Sequence, residues 1–153
     1  MRISVYLAGD ISDKHRWRPK IMKALEGLDV EFLSPIDVGI DYSEKALRLA
    51  NRKNRVFLHC DFMKCDRCDV LFAYLRLSKS RHSGTSTEVG YAKKAGKIII
   101  LVNDMPDDEE YLYEFVKRAA DEYFRDFDKG VDYLRDLVEE MQYLPLPEKQ
   151  AEK

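Results

Sequence analysis

The sequence has no apolar run near the ~20 residues that a membrane-crossing helix needs. Met1-Arg2 leads directly into a strand pattern rather than a signal peptide. A soluble, cytoplasmic protein with no membrane partner is expected. Neither sign of charge dominates. Lys and Arg number 26 against 28 Asp and Glu, a formal −2, which removes the electrostatic case for a nucleic-acid partner. Only three cysteines are present, Cys60, Cys65 and Cys68, and an odd count without a secretory signal argues against a disulfide framework. Cys65-x-x-Cys68 has the spacing of one zinc-ligand pair, but no second pair completes four ligands. The P-loop and dinucleotide glycine fingerprints are missing, as are a serine triad and a His-x-Glu deaminase motif. No metal and no cofactor are therefore expected.

What is present is globular: 45% hydrophobic and 35% charged residues in a chain of 153. That length suits one domain able to bury roughly two thirds of its unfolded surface. Ile3 to Ala8 reads as a short buried strand ended by Gly9-Asp10. A helix follows over about Trp17 to Glu26, with Pro19 tolerated in its first turn and Ile21, Met22, Leu25 and Leu28 facing inward. Val30 to Leu33 is a second strand, and Ile36 to Tyr42, which includes Asp37, a loop over the sheet edge. Helical spacing runs through Ala46, Leu47 and Ala50, breaks near Asn54, and resumes from Phe57 to Cys65.

Val70 to Leu75 is a third strand, and a polar loop from Arg81 enters a helix closed by Gly96. Lys97 to Val102 is the fourth strand. Asp108 to Glu122 has a helical pattern with Leu112, Phe115, Val116 and Ala119 inward, and Tyr123-Phe124 forms a short fifth strand. A last helix over about Lys129 to Tyr143 presents Val131, Leu134, Leu137, Val138 and Met141 before Pro145 and Pro147 stop it. Without repeats or linkers, residues 1–144 read as a single domain and 145–153 as a frayed tail. The strand–helix alternation calls for a parallel sheet with helices on both faces. We expect a flavodoxin-like, doubly wound α/β fold with strand order 2-1-3-4-5. Its switch point, between strands one and three, brings Gly9 and the Ser83 loop to one crevice.

Several residues there could carry chemistry. Thr85-Ser86-Thr87-Glu88 matches a capping box with Glu88 at the third helical position. Equally, a carboxylate in a first turn is kept ionised by the helix dipole and is a competent nucleophile toward a sugar carbon. Gly84 and Gly90 allow close approach of backbone and substrate. Asp61, on a helix with an apolar flank, is either a solvated acid or a general acid with a raised pKa. Asp69 reads as a turn residue before the third strand. Tyr6 is a strand tyrosine whose hydroxyl reaches the rim and can orient Glu88. Lys79, Arg81 and His82, beside Ser80 and Ser83, form a small basic loop suited to one phosphate or simply to solvent.

Three blocks, Tyr6-Leu7-Ala8-Gly9-Asp10-Ile11-Ser12, Asp61 with Cys68-Asp69-Val70-Leu71, and Ser83-Gly84-Thr85-Ser86-Thr87-Glu88-Val89-Gly90-Tyr91-Ala92, resemble the nucleoside 2-deoxyribosyltransferase family. That family includes 2′-deoxynucleoside 5′-phosphate N-hydrolases. The resemblance implies a flavodoxin-like fold and cleavage of an N-glycosidic bond. It matches Glu88 to the nucleophile that forms a glycosyl-enzyme, Tyr6 to the tyrosine that positions it, and Asp61 to the aspartate assisting protonation of the leaving base. Asp69 matches a structural acid. Gly9, Asp10, Ile11 and Asp37 are the expected substrate contacts on one side, and His82, Ser83 and Gly84 on the other.

One departure stands out. Many transferases of the family carry an aspartate six residues before the nucleophile, where this chain has His82. Arg81, His82 and Ser83 suit a phosphate, yet Ser12 replaces a basic residue of the nucleotide hydrolases and Asp10 would repel one. The resemblance therefore implies a nucleoside or nucleotide substrate, with 2-deoxyribose transfer, hydrolysis of a 5′-monophosphate and a non-catalytic nucleotide-binding module as alternatives. It also implies a homo-oligomer in which a neighbour completes the site. Tyr111, Tyr113, Tyr123 and Phe124 are the aromatic contacts considered for it.

Overall fold

Alternate residues of the first strand feed two different cores. Ile3, Val5 and Leu7 join one apolar cluster and Tyr6 and Ala8 the other, as a side-chain period of two requires. The computed structural model describes residues 2–10, 17–35, 54–76 and 82–144. Ile11, Ser12, Asp37, Lys79, Ser80, Arg81, the helical pattern at 43–50 and the tail at 145–153 lie outside them.

The strands are β1 (Ile3–Gly9), β2 (Val30–Leu33), β3 (Val70–Leu75), β4 (Ile98–Asn103) and β5 (Glu122–Phe124). All pairings are parallel, in the order β2-β1-β3-β4-β5. This is the expected flavodoxin-like α/β sheet. Helices α1 (Trp17–Ala24) and α5 (Phe127–Tyr143) contribute Trp17, Ile21, Val131, Leu134 and Val138 to the first core, and Leu25 joins it from the turn after α1. Helices α2 (Asn54–Arg67) and α3 (Ser83–Lys94) contribute Cys65, Val89 and Ala92 to the second. Every residue of central β3 is buried. Among the described residues, no helix is long and apolar enough to cross a membrane.

Two aspartates set the strand register with the same device. The Asp69 carboxylate accepts the Ser4 N–H at 2.8 Å, while its own N–H donates to the Ser4 carbonyl at 2.8 Å. Asp121 does the same for Ile99, at 2.8 and 2.9 Å. Asp69 is thus a register clamp, in keeping with its structural reading. Gly9 has no side chain for a packing reason: a Cβ there would fall 2.5 Å from the ring of Trp17.

Three boundaries differ from expectation. Helix α1 stops at Ala24 because tight turns, Glu26 N–H to Lys23 O and Leu28 N–H to Leu25 O, close it before Gly27 takes φ +89°. Helix α5 starts at Phe127, two residues early, because the Asp126 side chain accepts the Lys129 N–H.

The third difference alters an inward stripe. In place of one helix over 108–122, a 3-10 turn (Glu110–Tyr113) leads into the short α4 (Glu114–Ala119). A tighter turn with three residues per repeat changes the facing positions. Tyr113, Val116 and Ala119 pack inward. Leu112 and Phe115, expected inside, are 58% and 90% exposed.

Candidate active site

The carboxyl ends of β1 and β3 lie side by side, with Gly9 opposite Tyr74. Helix α3 packs across both strands. It starts at Ser83, so Ser83 and Gly84 are its exposed first residues rather than part of a loop. His82, before it, adopts a left-handed conformation at φ 52°. For a non-glycine residue this costs about 1–2 kcal/mol, and tertiary contacts hold it: Nε2 lies 2.6 Å from the Arg76 carbonyl and the ring packs edge-on to Tyr113.

This early start removes the capping box. The Ser86 and Thr87 hydroxyls bond back to the carbonyls of His82 and Ser83, both at 2.9 Å, and the first turn holds no acid. Glu88 sits in the second turn, where the dipole acts weakly. It belongs to the buried stripe Thr85, Glu88, Val89 and Ala92, whose spacing would otherwise mark core positions.

Burial therefore decides its charge. The Glu88 carboxyl is pushed up to about 8, first by burial and then by Asp61, against the opposing pull of Tyr6, Arg18 and Lys64. The expectation that the dipole keeps it ionised is overturned, because desolvation outweighs a helix end one turn away. Asp61 is also buried, on α2. Burial raises it to about 6 while Lys64 draws it down. Tyr6, fully buried from β1 rather than at a rim, is raised above its usual range by burial and by the two acids, so its hydroxyl stays protonated.

Tyr6 donates toward Glu88 strongly enough to lower its pKa, but short of full hydrogen-bond geometry. Tyr6 Oη, Glu88 Oε2 and Asp61 Oδ1 are buried without a hydrogen-bond partner among the described residues. Such atoms are few in folded proteins and usually serve a purpose. Cys65, one turn beyond Asp61, has its thiol raised by burial and the neighbouring acids. Cys68 is pushed up to about 11 by burial, and its Sγ donates to the Cys65 carbonyl at 3.1 Å.

The α2–α3 contact holds the two acids together. Phe62, next to Asp61, stacks on Tyr91 with centroids 4.2 Å apart and planes 6° from parallel. The Tyr91 hydroxyl, one turn beyond Glu88, bonds the Asp66 carboxylate at 2.8 and 2.9 Å. Glu88, Asp61 and Tyr6 are thus brought together from three elements. Of the expected substrate contacts, Gly9 and Asp10 stand at the end of β1, and a Cβ on Gly84 would meet open space. His82 is buried against Arg76 and Tyr113.

Sequence reasoning missed two cations. Arg18 is buried in the first turn of α1 and packs its guanidinium over Trp17, 4.3 Å from the ring centroid. Lys64 follows Asp61 by three residues and donates to the Ser34 carbonyl at 2.8 Å. Arg18 left a signal: a cation in a first helical turn opposes the dipole, which points to tertiary partners. Lys64 left none, since lysines are common on solvated helix faces.

A family model for nucleoside 2-deoxyribosyltransferases matches residues 5–141. The chain belongs to that family. It is accordingly an enzyme of the kind that acts on small nucleoside or nucleotide substrates at the N-glycosidic bond. Among solved structures, a CMP N-glycosidase of Clostridium botulinum (BcmB) is 22% identical at TM-score 0.49, over 86% of this chain and 97% of its own. The apo form of an NADH:FMN oxidoreductase (EmoB) is 14% identical at TM-score 0.48, over 95% and 92%. No curated protein matches the chain significantly.

Holding Glu88 out of water has a consequence for stability. Its folded pKa of about 8 lies above the ordinary 4.5, so between these values the folded state binds more protons than the unfolded one. Stability contributed by the protonated group falls as pH rises across that window. Glu88→Gln, neutral throughout, should raise Tm relative to wild type at pH 8, with the difference shrinking toward pH 5. Thermal unfolding at both pH values checks this; a Tm difference that does not change with pH would contradict it.

Proposed function

We propose that this protein cleaves the N-glycosidic bond of a (deoxy)nucleoside through a covalent glycosyl ester on Glu88, and transfers 2-deoxyribose between nucleobases. The observation that carries this reading is the buried pair Glu88 and Asp61, with Tyr6 beside it, at the carboxyl edge of β1 and β3. Expelling a base from C1′ passes through an oxocarbenium-like state, so an anion on one face of the sugar and an acid near the base are both needed. In the first step Glu88 Oε bonds to C1′ as the C1′–N bond breaks, and Asp61 gives its proton to the leaving base. An incoming base then attacks C1′, releasing Glu88 and returning the proton to Asp61. Tyr6 donates to the carboxylate and orients it. Gly9, Asp10, Ile11, Asp37, Ser83 and Gly84 contact the substrate in this reading, and His82 fixes the start of α3.

Incubation with deoxyinosine and adenine tests the reaction: deoxyadenosine is expected. Free base in the absence of an acceptor, from a nucleoside or from a 5′-monophosphate, would replace transfer with hydrolysis. No turnover of any of these substrates would leave a binding module. Glu88→Ala should lose at least about a thousandfold in kcat/KM while remaining folded; retained activity would sink the nucleophile assignment.

The two acids also define a pH profile. The working form has Glu88 ionised and Asp61 protonated. It is the minor of the two one-proton arrangements, because Glu88 holds the proton more tightly; both arrangements carry one proton and so share one pH dependence. With titrations near 6 and 8, kcat/KM should be highest between them and fall about tenfold per unit outside, the values belonging to the pair. A rate that climbs steadily from pH 5 to 9 would contradict this.

Exposed Tyr111, Leu112 and Phe115 support a homo-oligomer in which they face a second copy of the chain. Sedimentation should show at least a dimer, and Phe115→Asp should weaken it; a wild-type monomer at micromolar concentration would count against the interface.

A further inference from the structure

Helices α2 and α3 meet along a seam with a buried side and an outer side. Asp61 and Glu88 lie on the buried side, as do Cys65 and Ala92, one turn further along each helix. Phe62 and Tyr91 are half-buried on the outer side, and Asp66 is exposed there. Phe62 and Asp66, four residues apart, share one face of α2. Tyr91 lies against both. Its ring stacks on Phe62, with centroids 4.2 Å apart and planes 6° from parallel, and its hydroxyl donates to both Asp66 oxygens, at 2.8 and 2.9 Å. The stack restrains the separation of the two helices, and the hydroxyl restrains sliding. A slip of α3 along α2 by one residue, about 1.5 Å, would break that bond. The same slip would carry Glu88, one turn before Tyr91, past Asp61, the neighbour of Phe62.

We propose that Phe62, Asp66 and Tyr91 form a clamp on the outer side of this seam that holds Asp61 and Glu88 in reacting register, with Tyr91 as its positioning residue. The inference rests on Glu88 and Asp61 being the reacting acids. A hydroxyl bonded to an exposed carboxylate adds little to stability, because water competes for both groups. Its effect falls on the reaction instead. A misplacement of about 1 Å at reacting groups costs about a hundredfold in rate.

Kinetics with deoxyinosine and adenine test the clamp, measured per folded molecule well below each Tm. Tyr91→Leu removes ring and hydroxyl together. Its kcat should fall at least about tenfold with KM within about twofold of wild type, since the acids act on the breaking bond. Tyr91→Phe keeps the stack and should lose about threefold in kcat, and Asp66→Ala should match it. Asp66→Asn, whose amide oxygen still accepts the hydroxyl, should keep the wild-type kcat. A lower Tm with kcat unchanged in Tyr91→Leu would mark a merely structural contact and overturn the inference.

Carboxyl 13C NMR titration of Glu88, assigned with Glu88→Gln, reads the same register without turnover. The other groups acting on Glu88, namely Tyr6, Lys64 and Arg18 with neighbouring Asp10, are unaltered in Tyr91→Leu. Burial and Asp61 are what raise Glu88, so a loosened seam should lower its midpoint by at least about half a pH unit. An unmoved midpoint would overturn the clamp. Where Tyr91→Leu does not fold, Tyr91→Phe, which loses only the exposed hydroxyl contact, decides by the same two readouts. Failure of the functional reading looks different: wild type then turns over no nucleoside, or Glu88→Ala retains turnover, and the midpoint alone decides the clamp.

Discussion

Two carboxyl groups kept out of water within reach of each other's charge impose the main constraint on this structure. An unpaired buried carboxylate is costly, and a protein meets the cost by protonating the group or placing charges and donors around it. Both occur here. Glu88 and Asp61 are raised to about 8 and about 6, while Tyr6, Arg18 and Lys64 lie where they favour the ionised form of Glu88. The pair therefore holds one proton across the neutral range. A retaining glycosyl transfer uses a one-proton pair with the proton on the acid beside the base; here Glu88 holds it more tightly than Asp61, so the reaction draws on the minor arrangement.

The sheet separates this chemistry from its stability. Asp69 and Asp121 clamp neighbouring strands through paired backbone contacts. Tyr6 is the last β1 residue in register with β2, and beyond it β1 outruns β2 so that its carbonyl row is open to side chains. Short β2 thus gives Arg18 its place. Likewise, the Phe62–Tyr91 stack fastens α2 to α3 beside the two acids, so that the spacing of the carboxyls depends on ring packing outside the crevice.

The fold could be read from the sequence because its signals are local and repeated. Val70 to Leu75 is apolar throughout, as a strand buried on both faces must be. Gly96 follows the end of its helix with positive φ, and Gly27 takes positive φ in the turn after α1. Glu88, Asp61 and Tyr6 were visible as residues, though Glu88 also matched a capping box. What settles its environment is the start of α3, and that depends on His82 taking a conformation its own side chain disfavours, held by Arg76 and Tyr113. No local pattern encodes such a tertiary contact. The inward face at 110–119 was misjudged for a related reason: a 3-10 turn rotates the stripe, and Leu112 and Phe115 emerge on the surface. Lys64 was invisible because its partner is a main-chain carbonyl thirty residues away in sequence.

Trapping the proposed ester tests the central claim most directly. Acid quenching during turnover of a deoxynucleoside, followed by peptide mass analysis, should show one deoxyribosyl increment on the peptide carrying Glu88, lost when an acceptor base is added before the quench. The same increment on another residue, or burst-free turnover with an unmodified chain at every time point, would contradict a covalent role for Glu88.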